Sequence, residues 1–210
     1  MLARVLGADP RIGSAFLQPG LGFGGGCLPK DVRAFLARAA ELGAADALAF
    51  LKDVDAINLG RRTGMVNLAC EALDGSVDGR SIGVLGAAFK AGSDDVRDSP
   101  ALDVAQILHG MGAVVTVYDP EAMANAKQIC PQLRYAESAV AAATGADVVL
   151  LLTEWPEFAA LDPAVLGPVT AGRRIIDGRY LLDPVAWRAA GWQYRASGIP
   201  AARDQASTLS

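Results

Sequence analysis

From residue 80 onward the chain alternates short apolar, β-branched runs with helical segments, and this alternation leaves few folds open to it. Ser81-Ile82-Gly83-Val84-Leu85-Gly86 reads as a buried strand, followed by Ala113–Tyr118, Asp147–Leu152 and Arg173–Asp177, with Trp192–Ala196 a candidate for the last. Helices are expected between them. One spans Ser99–Met111, with Ser99 as N-cap, Pro100 at the first helical position and Gly112 past its end; the others span Glu121–Lys127, Glu137–Ala143 and Pro184–Ala190. Strand–helix alternation implies an α/β fold built on a parallel, doubly wound sheet.

The first 78 residues have another texture. A glycine-dense loop, Pro19 to Cys27, precedes an Ala- and Leu-rich helix expected over Asp31–Leu42, which Gly43 stops. Asp46 is positioned to cap a longer helix over 47–73. In that helix Phe50, Val54, Ile57, Arg61, Met65, Leu68 and Ala72 fall on one face, apolar except for Arg61. A helix of this length bridges domains or packs on a partner chain, and Gly60 and Gly64 either weaken it or admit a close neighbour.

Composition excludes several classes. Of 210 residues 52% are hydrophobic, and 19 basic against 23 acidic residues give a net charge of −4, which excludes intrinsic disorder. The pI near 5.0 leaves no basic footprint, so no nucleic-acid partner is expected. Cys27, Cys70 and Cys130 match no metal-site spacing, and the one histidine, His109, cannot build a His-rich site, so no metal is expected. Cysteine usage suggests a reduced, cytoplasmic setting. Arg4, Asp9 and Arg11 interrupt any signal-peptide core, and the longest apolar runs, such as Val148–Leu152, are too short for a bilayer. Residues 203–210 read as a loose polar tail.

The most informative stretch is Gly22-Phe23-Gly24-Gly25-Gly26-Cys27-Leu28-Pro29-Lys30-Asp31. Glycines this dense let backbone N–H groups approach a ligand. The thiol sits where a helix begins, and the helix terminus and Lys30 favour thiolate there. Backbone donors nearby could stabilise an oxyanion, and Asp31 could orient a water. A cysteine packed beside a flexible turn is the competing reading, and the residues alone leave the two even. Cys70 and Cys130 read as packing residues. His109, ahead of Gly110 at a helix end, reads as a C-terminal cap rather than a base for Cys27. In a second stretch, Gly83 to Lys90, Val84 and Leu85 separate the glycines, so the dinucleotide fingerprint Gly-x-Gly-x-x-Gly is not met. Lys90 could still neutralise a phosphate. Asp94, Asp95 and Arg97 read as a solvated, ion-paired loop.

Taken together these segments resemble the UDP-glucose/GDP-mannose dehydrogenase family, nearest its UDP-glucose members. The resemblance rests on Asp9–Gly13, Phe16–Gly20, the cysteine signature at 22–31, Leu85–Lys90, Asp95–Pro100, Tyr118-Asp119-Pro120, Thr153-Glu154-Trp155 and Asp177-Gly178-Arg179, in order along the chain. It implies a two-step, NAD-dependent oxidation of a sugar C6 alcohol to a carboxylate, with Cys27 capturing the aldehyde as a thiohemiacetal and carrying the later thioester. It gives Asp31 a part in water or proton transfer. It places Phe16, Leu17, Gly24 and Gly25 around the UDP-sugar, and Lys90 and Arg179 on the UDP. Arg11 would reach the neighbouring subunit's sugar, and Arg97, with Lys30, would approach NAD.

Further expectations follow from the resemblance. Residues 1–78 would be the remainder of a central helical dimerisation region, 79–202 a Rossmann-like UDP-sugar domain, and 203–210 the tail. The family's N-terminal NAD-binding domain has no counterpart in this sequence. The expectation is therefore the substrate-binding half of such an enzyme, homodimeric through its long helix and inactive alone. The alternatives are a non-catalytic UDP-sugar-binding fragment, or the same half of a GDP-mannose enzyme.

Overall fold

The computed structural model describes residues 2–14 and 17–198. After a short helix α1 (Leu2–Leu6) and the glycine loop come α2 (Leu28–Glu41), a 3₁₀ turn at Ala45–Leu48 and the long α3 (Phe50–Ala72). The sheet region follows as β1 (Ser81–Leu85), α4 (Pro100–Gly110), β2 (Val114–Tyr118), α5 (Met123–Ile129), β3 (Arg134–Tyr135) and α6 (Ala139–Ala143). It continues through β4 (Val148–Leu151), α7 (Pro156–Ala159), α8 (Pro163–Leu166), β5 (Arg174–Asp177), α9 (Pro184–Ala189) and β6 (Gln193–Ala196).

The six strands form one sheet in the order β3-β2-β1-β4-β5-β6, every pair parallel. This is the doubly wound architecture expected from the alternation. The chain winds outward in one direction from β1 through β2 to β3, then returns past β1 to β4 and winds the other way. That reversal leaves a crevice beyond the carboxyl ends of β1 and β4, where open α/β sheets receive ligands. Strands β1 and β4 are buried on both faces, as the inner strands of a parallel sheet must be.

The capping signals at Ser99 hold. Its hydroxyl accepts from Leu102 N–H, Pro100 opens the helix, and Gly112 follows in the left-handed region at φ 93°. Gly43, at φ 72°, terminates α2 in the same way. Asp46 does not cap α3: it lies inside the 3₁₀ turn, and no side chain caps either element. Helix α2 begins three residues earlier than expected, because Cys27 takes the N-cap position and Pro29 is accommodated in the first turn. His109 lies in the last turn of α4, but the end is closed by backbone N–H groups of Met111 and Gly112. The two-residue strand β3 and the four-residue helices α7 and α8 are too short to leave a periodic signal.

The apolar face assigned to α3 needs correction. The buried residues are Asn58, Arg62, Met65, Val66, Ala69 and Ala72, so the face against the sheet is rotated from the one read in the sequence. The two stripes share only Met65 and Ala72. Phe50, Val54 and Ile57 remain 59%, 38% and 61% exposed, and Arg61 is exposed as well.

Candidate functional site

The glycine loop lies against the segment that follows β1, and its glycines explain how. A Cβ on Gly24 would collide with the Asp98 carbonyl oxygen and Pro100; one on Gly25 would stand 2.9 Å from the Phe89 ring; one on Gly26 would stand 2.6 Å from the Arg97 guanidinium. Gly24, against backbone, and Gly25, at φ 90° against the Phe89 ring, must therefore lack side chains for the loop to seat, whereas at Gly26 the neighbour is a mobile arginine end. Gly25 N–H donates to the Arg97 carbonyl at 3.0 Å, which ties the two segments together. Leu21, 1% exposed, reaches toward Met65 and Gly178 and anchors the start of the loop in the core.

Cys27 emerges from this seat exposed, its thiol free, at the N-cap of α2. Asp31 N–H donates to the Cys27 carbonyl at 2.8 Å, closing the first turn beneath the sulfur. The Asp31 carboxylate is exposed and 3.6 Å from Lys30 Nζ. Arg97 flanks the same turn from the other side. It is held by Asp95, which accepts from Arg97 Nε at 3.0 Å and from Nη2 at 2.6 Å. This pairing raises the guanidinium pKa, with the Cys27 thiol a smaller contributor, and lowers that of the Asp95 carboxyl. The ion pair read between Arg97 and the acidic run thus forms with Asp95, while Asp94 meets Asn125 instead.

The β1 loop is fixed from beneath. Asp119, fully buried at the end of β2, accepts from Ala87 N–H, Ala88 N–H and the Trp155 indole on one oxygen and from Glu121 and Ala122 N–H on the other. Ser99 Oγ donates to the Ala87 carbonyl and Thr153 Oγ1 to the Ala88 carbonyl. Lys90 projects from this braced loop, exposed, with its ammonium 5.4 Å from the centroid of the Phe89 ring.

Arg179 approaches from β5. Its Nε donates to the Leu152 carbonyl at 2.8 Å, Nη2 reaches the Phe89 carbonyl, and Nη1 lies against Gly20. Burial lowers its pKa, partly offset by Glu154 at 3.2 Å. Because Nε–H points at Leu152, Glu154 Oε2 is buried without a hydrogen-bond partner among the described residues. Asp177, also buried, accepts from Arg179 N–H, Leu182 N–H and the Tyr194 hydroxyl, and so fixes the turn that carries Arg179.

Cys27, Gly24, Gly25 and Arg97 therefore sit together, beside Asp31 and Lys30, while at the sheet's carboxyl edge Lys90 projects from its braced loop and Arg179 lies folded against the Leu152 and Phe89 carbonyls. Leu17 is partly buried and its N–H bonds the Ser14 carbonyl. Arg11 stands apart, fully solvated and paired with Asp9, whose pKa it lowers. Phe16 lies outside the described residues.

Three residues escaped the sequence reading. Asn58 accepts from Phe23 N–H at 2.7 Å and donates to the Phe23 carbonyl at 3.0 Å. Arg62, its side chain 4% exposed, pairs with Asp98 and Asp103. Arg33 on α2 joins the network through Asp55 and Asp98. None of these carries a local motif; only their polarity inside an amphipathic helix could have drawn notice.

Comparison with known proteins agrees with this architecture. The chain matches the UDP-binding domain of the UDP-glucose/GDP-mannose dehydrogenase family over residues 83–184 and its central domain over residues 1–59. It belongs to that family. It is 43% identical over 182 residues to a UDP-glucose 6-dehydrogenase of Haloferax volcanii, an alignment covering 85% of this chain and 41% of that protein. It is 40% identical over 201 residues to one from Rhizobium meliloti, covering 95% and 45% respectively. A UDP-glucose dehydrogenase structure from Pyrobaculum islandicum superposes with a TM-score of 0.73 at 36% identity, covering 89% of this chain and 43% of that one. The chain thus spans less than half the length of these relatives. No helix among the described residues is long and apolar enough to cross a membrane.

Proposed function

We propose that this chain is the substrate-binding, thiol-bearing half of a cytoplasmic, NAD-dependent UDP-glucose 6-dehydrogenase, with residues 1–78 and 79–202 as its two units. The observation that carries the reading is the seating of Cys27. A free thiol stands at a helix N-terminus, beside a guanidinium, on a loop clamped to the ligand-receiving edge of a doubly wound sheet.

The geometry supports a division of labour. The switch-point crevice receives the UDP, with the exposed Lys90 ammonium turned to the diphosphate. Arg179 is largely committed to the Leu152 and Phe89 carbonyls, so its part is to shape the crevice floor and add positive charge there. The buried Glu154 oxygen is an acceptor for a ligand hydroxyl or N–H. Cys27 then adds to the sugar C6 aldehyde: the S–C bond forms, the carbonyl π bond breaks, and the oxygen takes a proton. The α2 N-terminus and Arg97 place positive potential where that oxygen gains charge. Asp31, one turn along the same helix, would orient the water that later attacks the acyl group.

Arg97 is the residue of this chain suited to NAD. Nε and Nη2 are held by Asp95, and Nη1 makes no hydrogen bond among the described residues, which leaves a fixed donor for a pyrophosphate oxygen. NAD, when bound, supplies the hydride acceptor. No Gly-x-Gly-x-x-Gly loop follows β1, so the chain alone is expected to show no turnover.

The test is direct. The 210-residue chain should bind UDP, and the C6-aldehyde of UDP-glucose should protect Cys27 from iodoacetamide, read by peptide mass spectrometry, while Cys27→Ser removes the adduct. Failure to bind UDP, or equal protection of Cys70, would defeat the reading. GDP binding as tight as UDP would move the assignment to GDP-mannose.

A further inference from the structure

We infer that Asn58 and Arg62 of α3 are positioning residues for the Cys27 loop, an inference that rests on the dehydrogenase reading above. They touch neither the sulfur nor the β1 loop's phosphate-facing side. They grip the backbone that carries the sulfur, from a helix remote in sequence.

The Asn58 carboxamide engages both backbone groups of Phe23, accepting from its N–H and donating to its carbonyl, as a neighbouring strand would. That pairing substitutes for the regular structure the loop lacks. A Cβ on Gly22, at φ 98°, would stand 2.5 Å from Asn58 Oδ1, so the grip requires glycine beside Phe23. Arg62 acts one turn further along the same face. Its Nη2 donates to Asp98 Oδ1 at 2.8 Å and also approaches the Phe23 carbonyl. Nη1 is held by Asp103 on α4.

Asp98 is what Arg62 needs to control. Its backbone sits in the left-handed region at φ 48°, unusual for a residue with a side chain, and its carbonyl is the atom that confines Gly24. The preceding carbonyl, of Arg97, holds Gly25 N–H. A buried guanidinium fixing the Asp98 carboxylate therefore fixes the two carbonyls on which the glycine loop rests. Asn58 holds the loop directly and Arg62 holds its seat. Both come from successive turns of one helix, so the Cys27 position is referenced to α3 rather than to the sheet alone.

Amide-resolved hydrogen exchange by NMR on the 210-residue chain tests this without substrate. In Asn58→Ala the Phe23 and Gly25 amides should exchange about tenfold faster, on the scale of one lost hydrogen bond, while the amides of β1 and β4 stay protected. In Asn58→Asp the acceptor survives, so the Phe23 amide should return toward its original rate. In Arg62→Lys the Gly25 amide should respond more than that of Phe23. Unchanged loop amides in Asn58→Ala overturn the inference. If that variant loosens the whole sheet, Asn58→Asp decides, and equal acceleration of Phe23, Gly25 and the strand amides in it overturns the inference too.

The functional arm separates position from binding. Asn58→Ala should retain UDP affinity within about twofold while aldehyde protection of Cys27 weakens about tenfold, because only the second depends on where the sulfur stands. Parallel loss of both would make the residues structural supports of the whole site and refute the inference. Failure of the unmutated chain to bind UDP sinks the dehydrogenase reading instead, and the exchange experiment still reports on the grip.

Discussion

Replacing Asp119 by Asn changes one oxygen to an amide nitrogen at nearly constant volume, and the structure says this should be severe. Asp119 is fully buried and accepts five hydrogen bonds, three on Oδ2 and two on Oδ1. An amide can accept on one side only. Whichever way the substituted carboxamide turns, its NH₂ faces two or three N–H groups that lose their acceptor. Hydrogen bonds to a charged group contribute about 1.5–3 kcal/mol each, so the loss of two with incomplete relaxation costs roughly 4 kcal/mol. That is a large part of the ~5–15 kcal/mol by which domains are stable. In urea the unfolding midpoint should fall by about 1.5 M at an unchanged slope of about 2.5 kcal/mol/M. The indole of Trp155, one of the donors, should report the change in its fluorescence. UDP affinity should fall as well, because Ala87 and Ala88 brace the loop that carries Lys90. A midpoint shift under about 0.4 M would refute the reasoning, since it would mean that the two or three lost bonds contribute less than about 1 kcal/mol together.

Gly24→Ala should unseat the glycine loop, since the new methyl meets backbone at Asp98; Cys27 adduct formation should fall more than about tenfold while the urea midpoint moves little, the clash being relieved by loop displacement. Lys90→Ala should weaken UDP binding about tenfold by calorimetry, the loss of one charge-assisted phosphate contact, and leave uridine binding unchanged. Burial raises the Tyr135 phenol from 10.0 to about 12, so the unfolded chain ionises first: its contribution is intact below pH 10 and is lost as pH rises toward 12, and Tyr135→Phe should reduce the alkaline loss in pH-dependent urea melts without removing the part that the raised Tyr118, Tyr194 and Cys130 groups supply. Light scattering should find a dimer, and Phe50→Glu with Ile57→Glu should shift it to monomer, because those side chains are 59% and 61% exposed on the chain alone.

The sheet was legible because its signals are local. A parallel strand buried on both faces is a short apolar run, and Ser99-Pro100 and Gly112 bound α4 by chemistry contained within a few residues. The site was legible only where its chemistry is also contiguous. Residues 22–31 display the thiol, the helix start and the glycines together, although the spacing could not show that those glycines are shaped by Asp98, Phe89 and Arg97, which lie far along the chain. Asp119 and Asp177 lie at strand ends, and only the fold shows that both are interior brackets.

Helix α3 shows why the remainder was out of reach. Its apolar residues define one stripe, and the natural inference is that this stripe faces the sheet. The sheet instead takes the neighbouring stripe, in which Asn58 and Arg62 precede Met65, Ala69 and Ala72. Two buried polar residues on that stripe are tolerable only because their partners, Phe23, Asp98 and Asp103, arrive from elsewhere in the chain. No periodicity argument can supply those partners. Arg61 and Arg62 are neighbours in sequence, yet one is solvated and the other nearly sealed. The two stripes then meet different surroundings on a single element: one grips the loop that carries the thiol, and the other leaves Phe50, Val54 and Ile57 exposed.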